Sequence, residues 1–191
     1  MPIPNPSAPD DPRPGAARAV ADAEPIRRFV EHLGVMARAW GINASMGELF
    51  ALLYVTGTDW TAEDLREQLR VSRGNVSMNL RELIAWGVVH KVHRQGERRE
   101  FYRAEDDVWT LFRRILAERK RRELDPTLAV LRRTVREIPD DPNVRARRDR
   151  LVELEEFFGL INALATRLLS LDAEELRDLV EVVSPDRAGV D

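Results

Sequence analysis

Between Thr61 and Arg103 the spacing of apolar positions predicts two short helices and then a hairpin. Leu65 and Leu69 lie four apart behind Thr61, and the third residue after Thr61 is the acidic Asp64, a relative of the capping box, so a helix begins there. Val71 bridges a turn and Ser72 is a second good N-cap. Val76, Leu80, Leu83 and Ile84 follow at the spacing of one helical face, on a helix from Ser72 to Trp86 that Gly87 ends as its C′ residue. From Val88 to His93 the chain reads as a strand, from Arg94 to Arg98 as a tight turn, and from Arg99 to Tyr102 as the returning strand.

Helix, turn, helix and hairpin in this order outline a winged helix-turn-helix, with the hairpin as the wing. At about 100° per residue, Gly74, Asn75, Ser77, Met78 and Arg81 point away from the buried stripe of the second helix. These side chains can read base edges: Arg pairs with guanine, Asn with adenine, and Met or a Ser methylene touches a thymine methyl. Gly74 admits a phosphate close to the backbone, and Ser72 and Arg73 stand at a helix N-terminus that already favours an anion. In the wing, Arg94, Gly96, Arg98 and Arg99 form the expected tip. A solvated polar face is the bland alternative for the helix alone, but an exposed Met and a first-turn Gly fit it less well.

Apolar seams flank this region. Ile26, Phe29, Leu33, Met36 and Trp40 alternate steps of three and four, as do Leu128, Leu131, Val135 and Ile138, and then Leu151, Leu154, Phe158, Ile161, Ala165 and Leu168. Such spacing asks for a partner helix, either within the chain or on a second copy. For the middle seam the two stay open, and for the late helix, about four turns long after Asp141-Pro142, a dimer is expected. A helix from Asp107 to Glu123, with Trp109, Phe112, Ile115 and Leu116 inward, would link the wing to the dimer helices as a lever. Residues 1–22 hold six prolines and few large apolar residues and are expected to be a disordered tail, with a basic arm as the alternative that Asp10, Asp11 and Asp22 argue against.

The net charge is −3, yet Thr61 to Arg103 holds nine Lys or Arg against six Asp or Glu. That segment is +3 and the remainder −6, so positive charge sits where the motif is, and an acidic whole does not exclude DNA. There is no Cys, which removes disulfides, thiol nucleophiles and cysteine zinc sites. The absence of a long apolar run or hydrophobic N-terminal core leads us to expect a cytoplasmic protein without membrane contact. No Gly-rich phosphate loop, metal-ligand spacing or Ser-His pairing stands out, so neither an enzyme nor a cofactor is expected. His90 and His93 lie three apart in a strand, on opposite faces, and cannot easily share an ion.

The run VSRGNVSMNLRELIAWGVV, the GERREFY wing, the start of the next helix in Glu105-Asp106-Asp107-Val108-Trp109, and the preceding GELFALLYV together resemble the GbsR branch of the MarR regulators over about residues 25 to 125. The resemblance implies a mainly α fold with a small β-wing: a winged helix-turn-helix domain with N- and C-terminal dimerisation helices. It implies a homodimeric, repressor-like transcriptional regulator that binds an inverted-repeat operator in double-stranded DNA, often with a small-molecule effector. The chain then divides into the tail at 1–22, an N-terminal helix and DNA-binding domain at 23–105, and a helical linker with the dimerisation and effector region at 106–191. Trp40, Trp60 and Trp109 near helix ends are the candidate effector residues, as an aromatic cage for a cation, with junction core as the alternative. A winged helix used only to bind protein is the competing class.

Overall fold

The computed structural model describes residues 14–139 and 141–183, in two compact units that divide between Asp107 and Val108. In the first unit, helices α1 (Pro14–Asp22), α2 (Glu24–Ala39) and α3 (Ala44–Thr56) precede strand β1 (Trp60–Thr61), helices α4 (Ala62–Leu69) and α5 (Arg73–Ala85), and strands β2 (Val89–Val92) and β3 (Phe101–Ala104). The central helix is α3, which packs on α2, α5 and β3 and buries Leu49, Leu52 and Leu53 completely. Asn43 caps it by accepting from the Ser45 N–H at 2.9 Å. A Cβ on Gly47 would lie 2.6 Å from the Leu33 carbonyl oxygen, so a glycine there lets α2 and α3 cross closely.

The strands form an antiparallel sheet in the order β1-β3-β2, with Trp60 opposite Tyr102 and Lys91 opposite Tyr102 on its other side. The two-residue strand β1 was not expected, and the returning strand runs from Phe101 to Ala104 rather than from Arg99 to Tyr102. Phe101 and Ala104 are buried, whereas Arg99 and Glu100 are exposed, so apolar anchoring sets the strand two residues later than the turn chemistry suggested.

Residues 14–22, expected to belong to a disordered tail, form helix α1; the rest of that tail lies outside the described residues. Ala17 and Ala21, four apart, are buried. Helix α1 packs on α2 and α3 and is tied to α4 by polar bonds: Arg18 donates to Asp64 at 2.6 Å and to Glu67 at 3.1 Å, and Gln68 donates to Asp22 at 2.8 Å. Arg18 therefore faces carboxylates.

The second unit holds α6 (Val108–Arg119), a π-helical turn (Lys120–Leu124), α7 (Asp125–Glu137), α8 (Arg145–Ser170) and α9 (Ala173–Val183). On α6 the buried residue is Leu111, while Phe112, expected inward, is exposed and Trp109, Ile115 and Leu116 are half-buried. Helix continues past Glu123 because the backbone widens: the Asp125 N–H bonds to the Lys120 carbonyl five residues back. The widening accommodates Pro126, which lacks an N–H and whose ring crowds the preceding turn of an α-helix. Leu128 and Leu131 are buried as α7 packs on α8, so the middle seam is satisfied within the chain.

Helix α8 starts at Arg145 and runs 26 residues, about 39 Å, well beyond the four turns expected. It carries two apolar faces. Ala165 is buried and Leu151, Phe158 and Leu168 half-buried, with Phe158 and Ala165 lining a groove beside Leu116 and Leu124. Leu154, Phe157, Leu160, Ile161 and Leu164 are exposed. The seam read from sequence thus splits: Leu154 lies on the outer row, while Ile161, at 37% exposed, also borders that groove. On α2, likewise, Val30, Gly34 and Ala37 are buried while Phe29 and Trp40 are exposed.

Candidate nucleic-acid interface

Two local caps orient the reading helices. The Thr61 hydroxyl accepts from the Asp64 N–H at 3.1 Å and donates to the Asp64 carboxylate at 2.5 Å, while the Thr61 N–H reaches that carboxylate at 3.4 Å. Partial burial opposes the charge on Asp64, but the hydrogen bonds from Thr61 and Arg18 outweigh it and hold the carboxyl below its ordinary range. Arg70 ends α4 in the left-handed region (φ 54°), and Ser72 caps α5 by accepting from the Asn75 N–H at 3.2 Å.

Along α5, Val76, Leu80 and Leu83 are buried and Ile84 half-buried, as the periodicity predicts. Ser72, Arg73, Gly74, Ser77, Met78 and Arg81 are exposed, with Met78 at 50%. Nothing lies within 4 Å of a Cβ built on Gly74, so that turn is open to an incoming group. Arg81 folds its Nε onto the Ser77 carbonyl at 3.2 Å and stays on the outer face. Asn75 is half-buried, and its side-chain oxygen accepts from Asn79 at 2.9 Å.

The four wing residues do not share one role. Gly96, at φ 83°, makes the turn in which the Glu97 N–H meets the Arg94 carbonyl at 3.1 Å. Arg98 is exposed and makes no ion pair to any described residue. Arg99 is exposed, pairs with Glu97 at 3.2 Å, and lies 5.6 Å from the Phe101 ring centroid. Arg94, expected at the tip, is instead at the wing's base: it lies 4.6 Å over the Phe101 ring and pairs with Asp59 at 2.9 Å. The Asp59 side chain is 3% exposed and also holds Arg103 at 2.6 Å, so one buried carboxylate ties both ends of the hairpin down.

Between α4, α5 and the wing lies a cleft of about 670 Å³, lined among others by Arg73, Ser77, Arg81, Lys91 and Arg99, with Glu63 and Glu100. Lys91 pairs with Glu100 at 2.7 Å, and the Tyr102 hydroxyl donates to the same carboxylate at 3.0 Å. Burial and this bond push Tyr102 up to about 12, so it is a neutral donor at physiological pH. His90 stands 3.4 Å from Glu105, and no group of metal-ligating side chains occurs among the described residues. Trp60 is buried and donates to the Thr56 hydroxyl at 2.9 Å, Trp40 is exposed at the end of α2, and Trp109, in the second unit, lies 5.5 Å from the Arg177 guanidinium.

No family model matches the chain. It is similar to three proteins of Bacillus subtilis (strain 168). YvaV is 25% identical over 84 residues, 44% of this chain and 48% of its own length. The HTH-type transcriptional repressor OpcR is 21% identical over 156 residues, 78% of this chain and 84% of its own. The HTH-type transcriptional repressor GbsR is 26% identical over 92 residues, 48% of this chain and 51% of its own. The chain thus spans about half the length of YvaV and GbsR and most of OpcR. A crystal structure of a transcriptional regulator superposes with a TM-score of 0.58 at 23% identity, covering 76% of this chain and 95% of that one, and shares the fold. The chain has the winged helix-turn-helix fold and resembles the HTH-type transcriptional regulators of the GbsR/MarR type.

In this winged helix-turn-helix head, sequence reading missed Asp59 and Asn79. Asp59 has no local signal, because its partners lie 35 and 44 residues away. Asn79 had one: it stands four residues after Asn75 and falls between Val76 and Leu80 and Leu83 on the inward arc of α5. Lys91, on the cleft wall, was assigned only to a strand.

Proposed function

We propose that this chain is a sequence-specific DNA-binding transcriptional repressor that acts as a cytoplasmic homodimer and carries no enzymatic activity of its own. The observation that carries the reading is the outer row of α5, where Gly74, Ser77, an exposed Met78 and Arg81 stand beside a cleft lined by four Lys or Arg. A helix of 13 residues is about 20 Å long and enters a major groove with its N-terminal turn towards the bases. Arg81, Met78 and Asn75 read bases, Arg73 and the first-turn N–H groups meet phosphate, and Arg98 meets a phosphate or the minor-groove wall. OpcR and GbsR, named as repressors, support the sign of control.

A second copy of the chain covers the outer row of α8. Leu154, Phe157, Ile161 and Leu164 repeat at three, four and three, the seam of a helix pair, and five large apolar side chains in eleven residues are far more than a solvated face needs. Two copies present two reading helices to half-sites about 34 Å apart. Enrichment of bound fragments from random duplex DNA tests the reading. An inverted repeat is expected, and a pool that stays random would refute it.

A further inference from the structure

Of the four buried residues of α5, Val76, Asn79, Leu80 and Leu83, only Asn79 is polar, and it is 3% exposed. A buried amide is costly without a partner, and its Nδ2 finds one in Asn75 Oδ1, one turn earlier, at 2.9 Å. Asn75 lies in the first turn of the helix, its own backbone N–H held by the Ser72 hydroxyl. The oxygen of the Asn75 amide is therefore turned inward, and the prong left for the outside is its NH2 group, which only donates.

We propose that Asn79 is a positioning residue that fixes the Asn75 amide as a donor, so that α5 selects guanine at the base Asn75 meets. This rests on the DNA-reading role proposed above. In the major groove guanine offers two adjacent acceptors, N7 and O6, to the two N–H groups of Asn75. The asparagine–adenine pair expected from residue types alone needs the amide oxygen to accept from adenine N6, and that oxygen faces Asn79. Cytosine presents a donor there and is disfavoured for the same reason. A residue that never touches DNA thus sets which base its neighbour accepts.

The test is enrichment from random duplexes with the full chain and with Asn75→Ala, Asn79→Leu and Asn79→Asp, each checked for thermal unfolding. The wild type should select guanine at one position per half-site, and Asn75→Ala should make that position degenerate. Asn79→Leu should lower the guanine preference there by roughly tenfold and leave other positions alone. Asn79→Asp only accepts, draws the Asn75 NH2 inward, turns its oxygen outward, and should move the preference to adenine or cytosine. Because a buried carboxylate can unfold the domain, 7-deazaguanine at that position gives an independent measure with the wild type. Binding should fall on the order of tenfold, and Asn75→Ala should be indifferent. Adenine at the Asn75-dependent position, or an unchanged preference in both Asn79 variants, overturns the positioning role alone. A wild-type protein that enriches no sequence overturns the DNA-reading role, and this assignment with it.

Discussion

Asp59 and Arg94 lie 35 residues apart in the chain and meet at 2.9 Å, with the carboxylate buried and the guanidinium against the Phe101 ring. Arg103 occupies the other carboxylate oxygen at 2.6 Å. The base of the wing is thus fixed by charge as well as by its strands. Removing one partner of a buried pair costs about 3–5 kcal/mol. Here both arginines reach solvent, so Asp59→Ala should destabilise the domain by a smaller amount, about 1–3 kcal/mol, read as a lower urea midpoint. A midpoint equal to wild type would mean that the strands hold the wing unaided.

The same geometry separates two arginines that sequence reading grouped together. Arg98→Ala should weaken specific and random duplexes alike and lower the salt slope by about one, as loss of a phosphate contact does. Arg94→Ala should change that slope less, since its guanidinium is held at the base of the wing by Asp59 and the Phe101 ring. Titrations at several salt concentrations decide it, and equal slope changes in the two variants would place Arg94 on the DNA.

Arg81→Ala should cost about 1–3 kcal/mol on the cognate duplex and broaden base preference, and Met78→Ala should cost less and act at one position. Both side chains are exposed, so thermal unfolding should not move. Loss of melting temperature alongside loss of binding would assign them to the fold.

Much of this head was legible because its signals are local. Thr61 and Ser72 announce their helices through caps to residues three positions on, and Val76, Leu80 and Leu83 mark the inward face by spacing alone. What escaped depends on distant partners or on small side chains. Helix α1 docks through Ala17, Ala21 and Arg18, none of which makes an apolar stripe visible among prolines. Leu111 and Phe112 are neighbours of similar hydropathy, and only packing chooses between them. Helix α8 is apolar on two faces, so a single seam drawn through it combines residues that face α7 with residues that do not.

That distinction gives a paired test of association. Leu154→Asp with Leu164→Asp lies on the outer row, clear of the groove, and should convert dimer to monomer by light scattering while helicity is retained. Phe158→Asp places a charge in the groove beside Leu116 and Leu124 and should instead unfold the second unit. A wild-type protein that is monomeric at micromolar concentration would contradict the proposed dimer.

Asp64 links the α4 cap to α1 and should make stability acid-sensitive. Its folded carboxyl is held below the ordinary value of 3.8, so its contribution is complete above that pH and is lost as the pH falls through the lower folded-state value. Asp64→Ala should cost about 1 kcal/mol at neutral pH, as loss of a cap does, and the gap to wild type should close below about pH 4. A gap that persists in acid would show that the charge is not what matters.

The most direct measurement is the affinity of the dimer for the enriched inverted repeat against a scrambled duplex of the same length, at one fixed physiological salt concentration. Sequence-specific reading by α5 predicts a preference of at least about a thousandfold. Equal affinities for the two duplexes would contradict it.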